Sequence, residues 1–155
     1  MDRIDRKIVA ALQREGRQKL ADLSAEVGLF PYTTLFRSAR RIARLEADGV
    51  ITGYGARVDQ DRLGLPLNAF VFVELEQHSR DAIRTFEARL RQFDEVMECY
   101  LMTGTRDVLI RVVAADLSAF DRFLEDGLMQ TPGIRAMRTS FALRTMIRRD
   151  ALPEV

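Results

Sequence analysis

The sequence is poor in the residue types that most chemistry needs. It holds one cysteine, Cys99, and one histidine, His78, far apart in the chain. A single cysteine excludes an internal disulfide, and one His with one Cys cannot supply a zinc site of the usual ligand count. Cys99 reads as a small buried hydrophobe on a strand. His78 falls in the polar stretch Gln77-His78-Ser79-Arg80, which reads as a loop with no visible partner for it. There is no nucleophile–base pair, no metal-ligand cluster and no phosphate-binding glycine loop, so neither an enzyme nor a bound cofactor or metal is expected. Long apolar runs are missing as well. A stretch such as Ala69–Val73 falls far short of the roughly 20 residues that span a bilayer. The N-terminus alternates charge and hydrophobe from Asp2 to Leu12 rather than presenting a basic start and an apolar block. No signal peptide is therefore expected, and the reading places the chain in the cytoplasm.

What is present suffices for a core: 47% of residues are hydrophobic and 30% charged, which fits one ordinary domain or two small ones. Ile4, Ile8 and Leu12 recur at helical spacing, with Asp2 placed to cap the helix and Gly16 to stop it. Leu20, Leu23 and Val27 predict a second helix ending at Gly28. Leu35, Ala39, Ile42 and Leu45 predict a third, from about Thr33 to Asp48, closed by Gly49. Three short helices with a tight turn between the last two outline a helix-turn-helix. The alternating stretch Val50–Val58 reads as a strand or small wing. These features delimit an N-terminal domain over 1–55 and a polar linker over 56–66.

From Leu67 the period changes. Leu67–Leu75, Val96–Thr103, Val108–Val113 and Ile134–Ile147 read as strands; Arg80–Arg91 and Asp116–Leu128 read as helices. The order β-α-β-β-α-β over 67–155 predicts a ferredoxin-like sandwich, so the fold class is α+β: a winged helix-turn-helix followed by a βαββαβ domain. Two helices on one face leave the other sheet face uncovered, and it carries apolar residues in either register. A second copy of the domain is its simplest cover. An RNA-binding sheet would need stacking aromatics on two central strands. Phe70, Phe72 and Tyr100 are present, but Val108–Val113 holds none.

The net charge of +1 says little, but its distribution says more. Arg37, Arg40, Arg41 and Arg44 are spaced i, i+3, i+4, i+7, on one face of the third predicted helix and opposite its apolar stripe. Like charges so placed repel by about a few tenths of a kcal/mol per pair. DNA phosphates convert that cost into binding through counterion release. A solvated face partly neutralised by Glu46 and Asp48 is the alternative.

The blocks MDRIDRKIVAALQREGR, LADLSAEVGL and RRIARLEADGVITGYGARVD, followed by MECYLMTGTRDVLIRV and TPGIRAMRTSFAL, resemble in that order the Lrp/AsnC family of feast/famine regulators. The resemblance covers nearly the whole chain. It implies a homodimer, often assembled into rings, that binds double-stranded DNA and responds to a small-molecule effector, an amino acid or a relative of one. It implies phosphate contacts chiefly from Arg40, Arg41 and Arg44, and base contacts from the start of the helix, at Tyr32, Thr33, Thr34 and Arg37. On this reading Arg41→Ala lowers the salt slope of DNA binding by about one. Gly104-Thr105-Arg106-Asp107 matches the family's G-x-x-D turn. That match implies an effector pocket near Met102, Thr103, Gly104 and Asp107, with Ser140 and Phe141 as weaker candidates for its wall. Arg106 stands where an aromatic is common and favours an anionic group. A broadly binding architectural DNA protein without effector response is the alternative function.

Two further features depart from the family pattern. Lys19 stands where a capping Ser or Thr is usual, and the stretch from Phe30 to Ala39 is too long, with Phe30 in place of a capping Ser. The string LFPYTTLFRS, Leu29–Ser38, resembles the conceptual translation of a common sequencing-adapter oligonucleotide. The expectation is an artefactual splice into an otherwise ordinary gene; a genuine loop insertion ahead of the basic helix is the alternative. Resequencing the coding DNA from the source genome is expected to return a segment without the adapter-like codons. Finding those codons in the genome would make the insertion real.

Overall fold

Asp2 starts the first helix, α1 (Arg3–Arg14), through a reciprocal cap. Its Oδ1 accepts the Ile4 and Asp5 N–H groups at 2.9 Å each, and Asp5 Oδ2 accepts the Asp2 N–H at 2.9 Å. In this computed structural model the described residues are 1–28, 34–104 and 106–153, with Thr34 and Leu35 described by their helical backbone alone. The chain divides into two units, Met1–Arg57 with Met146–Val155, and Val58–Thr145.

In the first unit, α2 (Leu20–Glu26) and α3 (Thr34–Ala47) follow α1. Ile8, Ala11, Leu23, Val27 and Leu45 form the core, with Ile4, Leu20, Ile42 and Ile51 packed around it. The α1 and α2 stripes are those that the periodicity marked out; in α3, Ile42 and Leu45 face inward as expected, but Ala39 is exposed and Ser38 takes the buried position. Lys19 gives α2 no side-chain cap. The expected strand at 50–58 does not form. Val50 and Ile51 instead donate to the Leu45 carbonyl at 2.9 and 3.1 Å, folding the chain over the end of α3. Tyr54 then donates to Glu46 Oε1 at 2.9 Å. The alternation there reflects this packing over a helix end, and the segment has no ladder partner among the described residues. The tail belongs to the same unit: Leu152 N–H donates to Gln13 Oε1 at 2.6 Å, and Arg57 lies 3.6 Å from Asp150.

A second tie joins α1 to α3. The Asp5 side chain is fully buried, and its carboxylate meets Arg41 Nη1 at 2.7 Å and Arg44 Nη2 at 2.5 Å. Arg41 Nη1 also lies 2.6 Å from Asp2 Oδ2. A buried carboxylate is tolerated only when charge and hydrogen bonds replace its lost water, and here both do.

In the second unit, β1 (Leu67–Leu75), α4 (Arg80–Leu90), β2 (Val96–Leu101), β3 (Val108–Ala114), α5 (Leu117–Arg122) and β4 (Ile134–Phe141) give the βαββαβ order. The sheet is antiparallel in the order β2-β3-β1-β4. Ala69, Val71, Val73 and Leu75 alternate into a core with Val108, Ile110, Val112, Phe86, Leu90, Phe120 and Leu128, so both helices cover one face. The opposite face presents Phe70, Phe72, Leu109 and the exposed Tyr100, beside Arg111 and Arg138. The helix expected over Asp116–Leu128 ends at Arg122 and widens into a π turn, Phe123–Gly127. That turn brings Phe120, Phe123 and Leu128 all into the core. It also needs a residue without Cβ at Gly127, where one would lie 2.9 Å from the Phe93 ring. β4 stops six residues before the expected Ile147. Ala142 donates to Asn68 at 2.9 Å near the start of β1, which leaves nothing beyond to pair with.

Folding lowers the pKa of both N-terminal carboxylates. At Asp2 the Asp5 N–H, and then the Arg41 guanidinium, bring it to about 2. At Asp5 burial pushes it up, but the Asp2 N–H and Arg41 outweigh burial and hold it below 3.8. Depressed carboxylates stabilise the fold fully above their unfolded pKa and lose that contribution as pH falls through the folded value. The first unit is therefore expected to lose stability progressively from about pH 5 down toward pH 2. Circular-dichroism melts across that range check this, and Asp2→Asn should flatten the acid limb.

Candidate DNA-binding and effector sites

α3 follows α2 as the second helix of the helix-turn-helix, and a buried serine pair fixes the crossing. Ser24 donates to the Leu20 carbonyl at 2.8 Å, and its hydroxyl lies 2.8 Å from that of Ser38. Both are almost fully buried, and their small side chains let α2 and α3 approach closely. Neither serine stands out in the sequence, where the one signal is a small polar residue on each helix's inward face. Ser38 is also the last residue of the adapter-like string, so the end of that string serves the domain's packing.

Arg37, Arg40, Arg41 and Arg44 line one open groove of about 570 Å³, as their spacing predicts. They are not equivalent. Arg37 and Arg40 are exposed. Arg41 is 27% exposed and held by Asp2 and Asp5; Arg44 is 53% exposed and held by Asp5. Asp2, followed by Asp5, also raises the Arg41 pKa, so that guanidinium stays charged. The partial neutralisation expected from Glu46 and Asp48 comes instead from α1. Periodicity within one helix could not show this, because the carboxylates lie 36 and 39 residues earlier. Tyr32 and Thr33 lie outside the described residues, as does the side chain of Thr34, so the expected base contacts at these three positions have no structural description.

In the second unit, Gly104 has φ +117°, a conformation L side chains rarely adopt, which suits a glycine in the turn joining β2 to β3. Thr105 lies outside the described residues. Asp107 ties that turn to the end of β1: its Oδ2 accepts the Leu75 N–H at 2.7 Å, and its own N–H donates to the Val73 carbonyl at 3.1 Å. Its Oδ1 lies 2.8 Å from His78 Nε2, so His78 does have a partner, contrary to the expectation for it. The Leu75 N–H, against burial and helped by His78, lowers the Asp107 pKa. Arg106 places its guanidinium 4.5 Å from the centre of the Phe72 ring.

Met102, Thr103, Gly104 and Asp107 thus share one turn. Ser140 and Phe141 do not join them within one chain. Ser140 pairs with Phe70 and Phe141 with Ala69 on the far edge strand, whereas Val108 beside the turn pairs with Val73. Four residues of strand correspond to about 13 Å. Phe141 also packs edge-on against Phe120, 5.2 Å between ring centres, on the helix-covered face. An apolar groove of about 500 Å³ does adjoin the turn. Leu101 and Val108 line it with Ile83, Phe86 and Leu90 of α4. Cys99 lines it too and is exposed, because β2 is an edge strand; the expected buried position is not what the structure shows. The groove wall partly desolvates its sulfur although the residue is exposed, and this, followed by Glu87, raises the thiol pKa. Among the described residues no group of His, Cys, Asp and Glu is placed to hold a metal, and no helix is long and apolar enough to cross a membrane.

Residues 1–46 match the AsnC-type helix-turn-helix domain, and residues 68–152 match the Lrp/AsnC ligand binding domain. The Bkd operon transcriptional regulator of Pseudomonas aeruginosa is 41% identical over 99% of this chain and 97% of its own length. The leucine-responsive regulatory protein of Salmonella typhimurium is 36% identical over 90% of this chain and 82% of its own. Among solved structures, a transcriptional regulator from Neisseria meningitidis in complex with L-Met superimposes with a TM-score of 0.89 at 31% identity, covering 99% of this chain and 96% of that one. The chain belongs to the Lrp/AsnC family of transcriptional regulators, with an AsnC-type helix-turn-helix ahead of that family's ligand binding domain.

Proposed function

We propose that this chain is a cytoplasmic, sequence-specific DNA-binding regulator that inserts α3 into the major groove and whose assembly or affinity responds to a small amphipathic effector, an amino acid. The observation that carries the DNA reading is the row of arginines along the open face of α3, with Arg37 and Arg40 exposed at its N-terminal end. Arg37 and Arg40 supply phosphate contacts, and base contacts are expected from Tyr32, Thr33 and Thr34 at the start of the helix. The exposed sheet face, with Phe70, Phe72, Leu109 and Tyr100, supports pairing with a second copy into a homodimer. The effector reading rests on the glycine turn, whose backbone a polar ligand end can approach, and on the apolar groove beside it. Leucine and L-Met, named for two relatives, have that amphipathic form. No catalytic step is assigned to the chain.

One observation favours the alternative, an architectural DNA binder without effector response. Both Asp107 oxygens are already occupied, by the Leu75 N–H and His78, which leaves little for an ammonium group.

The two readings separate in a thermal-shift series. Leucine or methionine is expected to raise the melting temperature, by as much as about 2.7 kcal/mol of stabilisation at a hundredfold excess over its Kd. Asp107→Ala, which unties the turn from β1, should abolish the shift while leaving DNA affinity within about twofold. If no amino acid shifts the wild-type protein, the architectural reading stands.

A further inference from the structure

The α3 arginines divide into two pairs, and one buried carboxylate makes the division. We infer that Asp5 is a positioning residue for DNA binding: it retains Arg41 and Arg44 as internal ion pairs and turns α3 so that Arg37 and Arg40 meet the phosphates. The inference rests on the DNA-binding reading of α3 and adds which of its charges act.

Asp5 is fully buried, and its two oxygens hold Arg41 at 2.7 Å and Arg44 at 2.5 Å. Arg41 Nη1 is shared with Asp2 at 2.6 Å. Withdrawing Arg41 to reach a phosphate would take the shared guanidinium from Asp2 and from one Asp5 oxygen and leave Asp5 to Arg44 alone, which is costly because that oxygen is shut off from water. The phosphate it would gain is an exposed contact, screened by salt. The balance favours keeping the internal pair. Among the described residues no carboxylate is paired with Arg37 or Arg40. Two of the four positive charges on this face are therefore cancelled within the protein, and two are left to displace counterions from DNA. The same pairs couple α1 to the middle and last turn of α3, so the roll of α3 about its axis is set from α1.

The salt dependence of DNA binding separates positioning from a merely structural role, because each phosphate neutralised contributes about 0.9 to the slope of log K against log salt. The probe is a mixed-sequence duplex of about 40 base pairs, followed by fluorescence anisotropy from about 50 to 200 mM KCl with the full chain. Arg40→Ala is expected to flatten the slope by about 0.9 per bound protomer. Asp5→Asn frees a charge and should steepen it by about 0.9, with a lower melting temperature. Asp5→Asn with Arg44→Met removes the pair without changing net charge and leaves Arg41 with Asp2. It should weaken binding but keep the wild-type slope, and an apolar replacement of the pair keeps the fold. A double variant whose slope flattens as Arg40→Ala does would show that Arg44 binds phosphate and would overturn the inference. An unchanged slope in Asp5→Asn would reduce Asp5 to a structural tie and overturn it equally. Wild-type protein that shows no salt-dependent binding would instead remove the DNA reading beneath it.

Discussion

The N-terminal unit depends on one buried negative charge. Asp5 sits at the start of α1 with its carboxylate out of water, and that position is stable only because Asp2 and two arginines of α3 surround it. The hydrophobic stripe of α1 brings it against α2 and α3, but an apolar stripe tolerates small rotations. Fixed hydrogen bonds to two guanidinium groups, three and six residues before α3's last residue, do not. The cap that begins α1 and the tie that orients α3 are thus parts of one network, and Arg41 Nη1, shared by both aspartates, is its centre.

The C-terminal unit solves a comparable problem with a different group. A turn between two neighbouring strands has no inherent reason to hold its position at the sheet's end. Asp107 supplies one by accepting the Leu75 N–H and approaching His78, so the turn, the end of β1 and the start of the following loop move together. The cavity beside α4 begins where this fixed turn ends. A ligand seated there would meet a backbone already in place, which lowers the entropy that binding must overcome.

Most of the fold was legible because it is written in short-range periodicity. The helical stripes at Ile4–Ile8–Leu12 and Leu20–Leu23–Val27, and the alternation through Ala69, Val71 and Val73, needed no knowledge of distant residues. The misreadings share a physical origin. Val50–Val58 alternates like a strand, but among the described residues it has no ladder partner, and Val50 and Ile51 fold back onto the Leu45 carbonyl at the end of α3. The pattern to Ile147 outlasts the first residues of β1, against which β4 must pair. Asp116–Leu128 reads as one helix because periodicity does not register a π turn made for Phe123 and Leu128. At the candidate sites, residue type was legible and pairing was not. The four arginines stood out in the sequence; the Asp2 and Asp5 carboxylates that hold two of them, and the Asp107 that meets His78, come from segments far away along the chain.

The exposure of Cys99 has a practical side. It is the chain's one thiol, it stands on the edge strand, and it lines the groove that adjoins the Met102–Asp107 turn. A reporter group attached there would sit beside the candidate effector pocket without any residue being changed. The raised pKa of this thiol leaves less thiolate at neutral pH. The rate of labelling would itself register how open that groove is.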